Sequence, residues 1–198
     1  MNFRATDLPG VILIEPDVYR DPRGYFLERF HAAKYAAAGM PGVFVQDNHS
    51  ASVCNTLRGL HLQRRKPQGK LVSVIEGEIW DVAVDVRRGS PTFGQWAAET
   101  LSAGNFKQLY IPGGFAHGFC VLSETAQVQY KCTEFYDPSD EIGIAYNDPT
   151  IGIPWPVEHP LLSERDRQHG PLSGVMDRLP TFDAARDAGS AAPPGTVS

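Results

Sequence analysis

The order of hydrophobic and polar positions along the chain predicts many short β-strands. VFVQDNHSASV alternates, and KLVSVIEGEIWDVAVDVR looks like two strands that are joined at Glu76-Gly77. Further strand-like segments are QWAAETLS, QLYIP, GFCVLS and AQVQYKCTEFY, which are separated by turn signals such as RRGSPTFG, SAGN and PGG. Short strands at close spacing, without intervening helical patterns, favour an all-β sandwich or barrel.

The two ends of the chain follow other patterns. VILIEP and YFLERF predict short strands on either side of a DPRG turn, and Ala-rich HAAKYAAAG predicts a helix that stops at Gly39. Residues 137–180 are rich in Pro and Asp and predict irregular packing over the core. The final AARDAGSAAPPGTVS lacks the apolar residues that would offset its ordering entropy. We therefore predict one domain over residues 1–180 and a disordered tail over residues 181–198.

Composition and charge narrow the class of protein. The chain has 198 residues, enough for one domain with a substantial core, and its net charge of −5 argues against a broad basic face for nucleic acid or membrane surfaces. No apolar run approaches the roughly 20 residues of a membrane span, and MNFRATDLPG shows no secretory signal. Three cysteines without a CxxC motif are expected to stay reduced. These features predict a cytoplasmic protein that binds neither nucleic acid nor membrane.

Two histidine-containing segments, LRGLHLQRRKPQGKLV and IPGGFAHGF, invite comparison with a metal-binding double-stranded β-helix. Such a protein usually presents two histidines one residue apart, then a carboxylate, then a third histidine in a PxGxxH turn. The turn is present and ends at His117, but Gln63 follows His61 and Gln68 stands at the carboxylate position. Neutral amides do not replace an imidazole and a carboxylate around a divalent cation. The spacing therefore predicts the same scaffold without a catalytic metal.

Without a metal, side chains must stabilise negative charge on a substrate oxygen. The ammonium of Lys70 can stabilise a developing enolate. His61 is the best proton acceptor, because the ordinary pKa of a histidine side chain lies near neutrality. Tyr130 in VQYKCTEFY could deliver a proton to the opposite face of the substrate. The three residues predict proton transfer beside a carbonyl. A structural histidine and a core tyrosine remain the alternatives for His61 and Tyr130.

Two arginines have the local context of a ligand site. Arg23 in DPRGYF and Arg58 in LRGLH are each followed by glycine, which allows backbone and ligand to approach closely. A planar guanidinium suits the oxygens of a diphosphate. Residues 64–66, RRK, predict a solvated loop. Because the chain lacks a P-loop or dinucleotide fingerprint, nucleotide binding would depend on side chains.

Many segments in order resemble the dTDP-4-dehydrorhamnose 3,5-epimerase family, from about Leu8 to Leu172. They are DPRGYFLERF, FVQDNHSAS, LRGLHLQ, PQGKLVSVIEGEIWDVAVDVRRGSPTFGQW, LYIPGGFAHGFCVLS, YKCTEFYDP, NDP and LSERD. The resemblance implies a cupin-type jelly roll (a double-stranded β-helix) with a few short helices, acting as a homodimer without metal or cofactor. It also implies a dTDP-4-keto-6-deoxysugar substrate that is inverted at carbons 3 and 5, both beside the ketone.

The resemblance further implies a role for individual residues. His61 would be the general base, oriented by Asp166, while Lys70 would stabilise the enolate and Tyr130 would protonate the opposite face. The substrate-binding residues implied are Arg23, Phe26, Glu28, Gln46, Asn48, Arg58, His117, Tyr136, Glu141 and Arg165. The first three of these lie in the N-terminal segment, which in such dimers helps to shape the partner's nucleotide site.

The chain departs from the family pattern at a few positions. Asn55-Thr56 stands where a glycine often precedes LRGLH, and asparagine tolerates a left-handed backbone better than most residues. Tyr146 and Arg165 stand where tryptophan and lysine are frequent. Three alternatives remain open: an epimerase that inverts only carbon 3 or only carbon 5, a non-catalytic cupin that binds a sugar nucleotide, and a metal-dependent cupin enzyme.

Overall fold

Two antiparallel β-sheets packed face to face form the body of the protein in a computed structural model that describes residues 1–184. Two short helices and two 3₁₀ turns, Leu172–Gly174 and Met176–Arg178, complete the described regular structure. The predicted all-β jelly roll with a few short helices is confirmed. The elements are β1 (Asn2–Ala5), β2 (Ile12–Glu15), β3 (Val18–Asp21), β4 (Gly24–Leu27), α1 (Ala32–Ala37), β5 (Gln46–Val53), β6 (Leu57–Gln63), β7 (Lys70–Glu76), β8 (Glu78–Asp85), β9 (Trp96–Ser102), β10 (Gln108–Ile111), β11 (Phe115–Val121), β12 (Thr125–Cys132), β13 (Glu141–Gly143) and α2 (Glu164–Arg167).

Several strands that follow one another in the sequence belong to different sheets. One sheet has six strands in the order β1-β2-β10-β7-β12-β5, and the other has five in the order β13-β6-β11-β8-β9. The consecutive strands β7 and β8 therefore lie in different sheets. Gly77, between them, has φ +76°, and a Cβ there would lie 2.0 Å from the carbonyl oxygen of Thr125. The predicted break at Glu76-Gly77 is confirmed, and it marks the crossing between the sheets.

Apolar side chains fill three layers. The inner faces of the two sheets meet in one core, and α1 covers the outer face of the six-stranded sheet, where Tyr35 is fully buried. The outer face of the five-stranded sheet is covered by the irregular segment after β13, through side chains such as Ile151, Ile153, Leu172 and Leu179. Each such side chain contributes about 1.5–3 kcal/mol when it is fully buried. At one end of the gap between the two sheets, polar side chains take the place of the apolar core.

Several local predictions can be compared with the structure. Helix α1 ends just before Gly39, which has φ +79°, and Asn55 adopts φ +62° as its left-handed tolerance predicts. Strand β1 was not predicted from its short sequence, NFRA, because its pairing with β2 forms it. At the start of the predicted tail, Thr181 bridges to Arg88, and the rest of that tail, residues 185–198, lies outside the described residues. Neither described helix has the length and apolar character needed to cross a membrane.

Candidate active site

Two adjoining cavities open at one end of the jelly roll, between the two sheets. Their volumes are about 310 Å³ and 380 Å³. Both are lined by His61, Lys70, Tyr130 and Arg165, so these four side chains lie where the cavities meet. Strand β6 of the five-stranded sheet supplies His61, whereas β7 and β12 of the six-stranded sheet supply Lys70 and Tyr130.

The carboxylate of Asp166 binds one ring nitrogen of His61. Its Nε2 lies 2.6 Å from Oδ1 of Asp166, and the backbone N–H of Asp166 donates to the capping hydroxyl of Ser163 at 3.0 Å. Burial alone would raise the pKa of Asp166, but the hydrogen bonds from His61 and Ser163 outweigh it and hold this pKa below its ordinary value. An ionised carboxylate only accepts hydrogen bonds, so Nε2 of His61 carries the ring proton. The lone pair of neutral His61 is therefore on Nδ1, which lies 3.7 Å from Oε1 of Glu141.

The facing wall carries an ammonium and a phenol. Lys70 is the first residue of β7 and pairs in register with Cys132 of β12, two residues beyond Tyr130. Burial lowers the pKa of Lys70, and Cys132, Glu141 and Asp81 partly oppose that shift. Within residues 1–184, no acceptor lies within hydrogen-bond distance of Lys70 Nζ, so the ammonium is available to a ligand. Burial raises the pKa of Tyr130, which keeps its phenol protonated near neutral pH.

His117 lies deeper, on β11 directly beside His61 in the sheet register. Its Nε2 is 2.7 Å from Oδ1 of Asp81, and both side chains are buried. Burial lowers the pKa of His117, while the charge and hydrogen bond of Asp81 oppose that shift. His117 lines the larger cavity as part of its inner wall.

Three side chains form a polar cluster at the mouth of the smaller cavity. The guanidinium of Arg165 donates to both carboxylate oxygens of Glu141, at 2.9 Å each, and the phenol of Tyr136 donates to Glu141 at 2.6 Å. The hydrogen bond to Glu141 and burial raise the pKa of Tyr136. These bonds hold Glu141 beside His61, and all three side chains line the smaller cavity.

Strands β5 and β6 supply further polar lining. Gln46 and Asn48 line the smaller cavity and are joined by a 3.0 Å hydrogen bond, while Arg58 lines the larger one and donates to the hydroxyl of Ser52 at 3.0–3.1 Å. The interpretation of the glycine after Arg58 as room for a ligand is wrong. A Cβ at Gly59 would lie 2.5 Å from the Cα of Gly118, because β6 and β11 approach closely there.

The three N-terminal candidates lie in the hairpin β3–β4 or directly after it, and none of them lines either cavity. Arg23 and Phe26 are exposed, with 90% of the Arg23 side chain and 70% of Phe26 accessible, and Arg23 pairs with the neighbouring Asp21. Glu28 forms an ion pair with Lys34 at 3.1 Å. Within one chain, these residues are not brought to the cavities.

Sequence reasoning missed several residues in or near the site, including Ser50, Phe119, Ser163 and His169. Ser50 and Phe119 line the larger cavity and lie two residues beyond Asn48 and His117 on their strands. The two-residue period of a β-strand puts such pairs on one face, so that period could have identified them. His169 lies behind Asp166 in a turn after α2, and no periodic signal indicates its position.

The positions that correspond to metal ligands in related scaffolds are occupied by structural amides. Gln63 donates to the carbonyl oxygens of Lys66 and Phe135, and Gln68 donates to that of Glu134. A different group of donor atoms, which includes His61, does come together within the described chain. Those of His61, Asp166 and His169 lie within 4.8 Å of one another.

Fold and site together define a class. A jelly roll of the cupin type carries, at one end, a carboxylate-bound imidazole on one sheet and an ammonium and a phenol on the other. This is the arrangement of a cupin-type enzyme that moves protons beside a carbonyl group.

Comparison with known proteins gives the family. The sequence model of the dTDP-4-dehydrorhamnose 3,5-epimerase family matches residues 5–174, and the chain belongs to this family. The dTDP-4-dehydrorhamnose 3,5-epimerase of Pseudomonas aeruginosa is 56% identical, over 85% of this chain and 94% of that protein. A dTDP-4-dehydrorhamnose 3-epimerase of Streptomyces niveus is 38% identical, over 100% of this chain and 98% of that protein.

A solved structure supports the same assignment. The crystal structure of dTDP-6-deoxy-D-glucose-3,5-epimerase from Legionella pneumophila, in complex with dTDP-4-keto-L-rhamnose, superposes with a TM-score of 0.89. It is 48% identical to this chain and covers 92% of this chain and 99% of its own. The expected family, the cupin-type fold and the assignment to the epimerases are confirmed.

Proposed function

We propose that this chain catalyses the epimerisation of dTDP-4-dehydro-6-deoxy-D-glucose at carbons 3 and 5, giving dTDP-4-dehydro-L-rhamnose. In this proposal, His61 removes the proton beside the ketone and Asp166 stabilises the imidazolium that forms. Lys70 stabilises the enolate on the carbon-4 oxygen, and Tyr130 delivers a proton to the opposite face of the ring. Family membership and the 56% identity to a 3,5-epimerase, against 38% to a 3-epimerase, support double inversion.

The observation that carries the proposal is the placement of base and phenol on opposite sheets. His61 projects into the gap from β6, and Tyr130 projects into it from β12. A sugar ring between these walls presents one face to each. Removing a proton on one side and returning one on the other inverts the carbon. Lys70, with no protein acceptor in the described residues, can bind the carbonyl oxygen between the two walls.

The surrounding polar residues support substrate binding. Gln46, Asn48, Tyr136, Glu141 and Arg165 surround the smaller cavity. Two adjoining cavities suit a sugar joined to a nucleotide better than they suit a sugar alone. In the larger cavity, the proposal assigns Arg58 and His117 to the same substrate.

We also propose that the active form is a cytoplasmic homodimer. The exposed hairpin β3–β4 and the residue after it supply Arg23, Phe26 and Glu28, none of which lines the two cavities of its own chain. In a dimer these residues would complete the partner's nucleotide site. An exposed phenylalanine beside an exposed arginine suits a nucleobase and a diphosphate.

Deuterium exchange tests the reaction directly. Incubation of the ketosugar nucleotide with enzyme in D₂O should place deuterium at both carbon 3 and carbon 5, as seen by ¹H NMR. Label at one carbon only would replace the proposal by a mono-epimerase, and tight binding without any exchange would replace it by a non-catalytic binding protein. His61→Asn should abolish exchange at both carbons. His159→Asn, the same change in an exposed loop, should leave it intact.

A further inference from the structure

A second histidine contacts the carboxylate that holds His61. Nδ1 of His169 lies 3.7 Å from Oδ1 of Asp166, the same oxygen that Nε2 of His61 approaches to 2.6 Å. The two imidazole rings meet edge to face, with their centroids 5.4 Å apart and an interplanar angle of 90°. Among the residues that the structure describes, the buried Nδ1 of His169 has no hydrogen-bond partner.

The backbone fixes the ring of His169 in this place. A Cβ on Gly143 would lie 2.1 Å from Nε2 of His169, so the ring packs flat on the glycine of β13. The side chain of His169 is only 14% exposed. The charge of nearby Arg165 is balanced by its two hydrogen bonds to Glu141.

We propose that His61, Asp166 and His169 form an inhibitory site for a divalent transition-metal ion such as Zn²⁺. Two imidazoles and one carboxylate are a donor set that Zn²⁺ binds with three protein ligands and one open position. This ion is a ligand that blocks the site and has no part in turnover. The inhibition rests on the proposed role of His61 as base, whereas the binding of the ion does not.

The spacing of the donor atoms is close to that of a metal site. Two ligands about 2.1 Å from a tetrahedral Zn²⁺ lie about 3.4 Å apart. The observed separations from Oδ1 of Asp166, 2.6 Å to His61 and 3.7 Å to His169, lie on either side of this value. Small rotations of the Asp166 carboxylate and the two rings would therefore equalise them.

The proton on His61 explains why binding would inhibit. A neutral imidazole carries one proton, and the hydrogen bond to Asp166 places it on Nε2, leaving the lone pair on Nδ1. A Zn²⁺ ion bound at Nε2 takes that position, so the proton moves to Nδ1. His61 then remains neutral but has no lone pair with which to accept a proton from the sugar.

Metal titration of wild type and a single variant tests the site. His169→Gln removes one imidazole donor and leaves His61 and Asp166 unsubstituted. His159→Gln removes an exposed histidine and is the matched control. Binding of Zn²⁺ is measured by calorimetry, and the visible spectrum of the Co²⁺ form reports the coordination number. Inhibition is measured as deuterium exchange into the ketosugar nucleotide with and without EDTA. Thermal unfolding checks that each variant is folded.

We expect wild type and His159→Gln to bind one tight equivalent of Zn²⁺ and to lose activity reversibly. His169→Gln should keep its metal-free activity within about threefold and bind Zn²⁺ at least about tenfold more weakly. Equal Zn²⁺ affinity in wild type and His169→Gln would overturn the proposal, as would Zn²⁺ binding that leaves exchange unaffected. If His61 is not the base, the tight equivalent of metal would still be lost in His169→Gln. The two proposals can therefore fail separately.

Discussion

Replacement of Asp166 by asparagine should lower kcat strongly and change KM little. The side-chain oxygen of asparagine can still accept a hydrogen bond from Nε2 of His61, so the orientation of the ring is preserved. What is lost is the carboxylate charge, 2.6 Å from the ring, when His61 becomes an imidazolium. At that distance, the attraction is about 6 kcal/mol at an effective dielectric constant of 20 and about 1.6 kcal/mol in bulk water.

The burial of the pair decides between these limits. The side chain of Asp166 is 4% exposed and that of His61 is 21% exposed, so the site lies between water and a dry interior. We expect a loss of about 3–4 kcal/mol in transition-state stabilisation, which is about a 10²- to 10³-fold drop in kcat. Deuterium exchange at carbons 3 and 5 measures the rate, and calorimetry with dTDP measures binding. Asp177→Asn makes the same change at an exposed site and should be silent.

The reasoning would be refuted by an Asp166→Asn enzyme within threefold of wild-type kcat. It would also be refuted by a variant whose KM rises while kcat is unchanged, because Asp166 would then act in binding. Circular dichroism and the thermal midpoint must first establish that the variant is folded. A general acid–base contribution of 10²–10⁴-fold is typical of enzymes, so the expected loss lies within a known range.

Three further predictions follow from other parts of the structure. Lys70→Met should lower kcat about 10²- to 10³-fold in the exchange assay while calorimetric dTDP binding persists, and exposed Lys66→Met is its control. Tyr130→Phe should retain solvent exchange while the yield of inverted product falls, as measured by NMR; equal losses of both would contradict its role as proton donor. Asp85 is fully buried and is bound by Arg87. Its replacement by asparagine should lower the free energy of unfolding by about 3–5 kcal/mol. The hydrogen bonds of Asp85 outweigh burial and lower its pKa in the folded protein. The stability that it contributes is therefore present above about pH 3.9 and is lost as pH falls through the folded pKa. The urea midpoints of wild type and Asp85→Asn should converge in acid.

The sequence predicted where most strands lie, but it did not predict which strands pair with one another. Turn residues and alternation located most strands, because a half-buried strand repeats every two residues. Nothing in KLVSVIEGEIWDVAVDVR indicates that the strands on either side of Gly77 belong to different sheets. That assignment depends on long-range pairing of β7 with β10 and β12, which no local pattern contains. The glycine after Arg58 was misread for the same reason, since its neighbour, Gly118, is 59 residues away in the chain.

The candidate site could be predicted only where its residues lie in recognisable segments. His61 and Lys70 were singled out by their own surroundings, whereas Asp166 depended entirely on the resemblance to a family. A carboxylate 105 residues from its histidine gives no local signal. His169 depends on a turn against Gly143, and only the three-dimensional structure brings it to Asp166.

The amides at the positions of metal ligands in related scaffolds have a structural role. Gln63 donates to the carbonyl oxygens of Lys66 and Phe135 and accepts from the backbone N–H of Asp137 at 2.8 Å. Gln68 donates to the carbonyl of Glu134 at 2.7 Å. These bonds tie the loop after β6 to the segment that carries Tyr136. An ionised carboxylate cannot donate, and a neutral imidazole has one N–H where Gln63 donates twice, so neither could reproduce this pattern. Placing a metal-ligating side chain at Gln63 would therefore loosen the wall of the smaller cavity, which Gln63 lines.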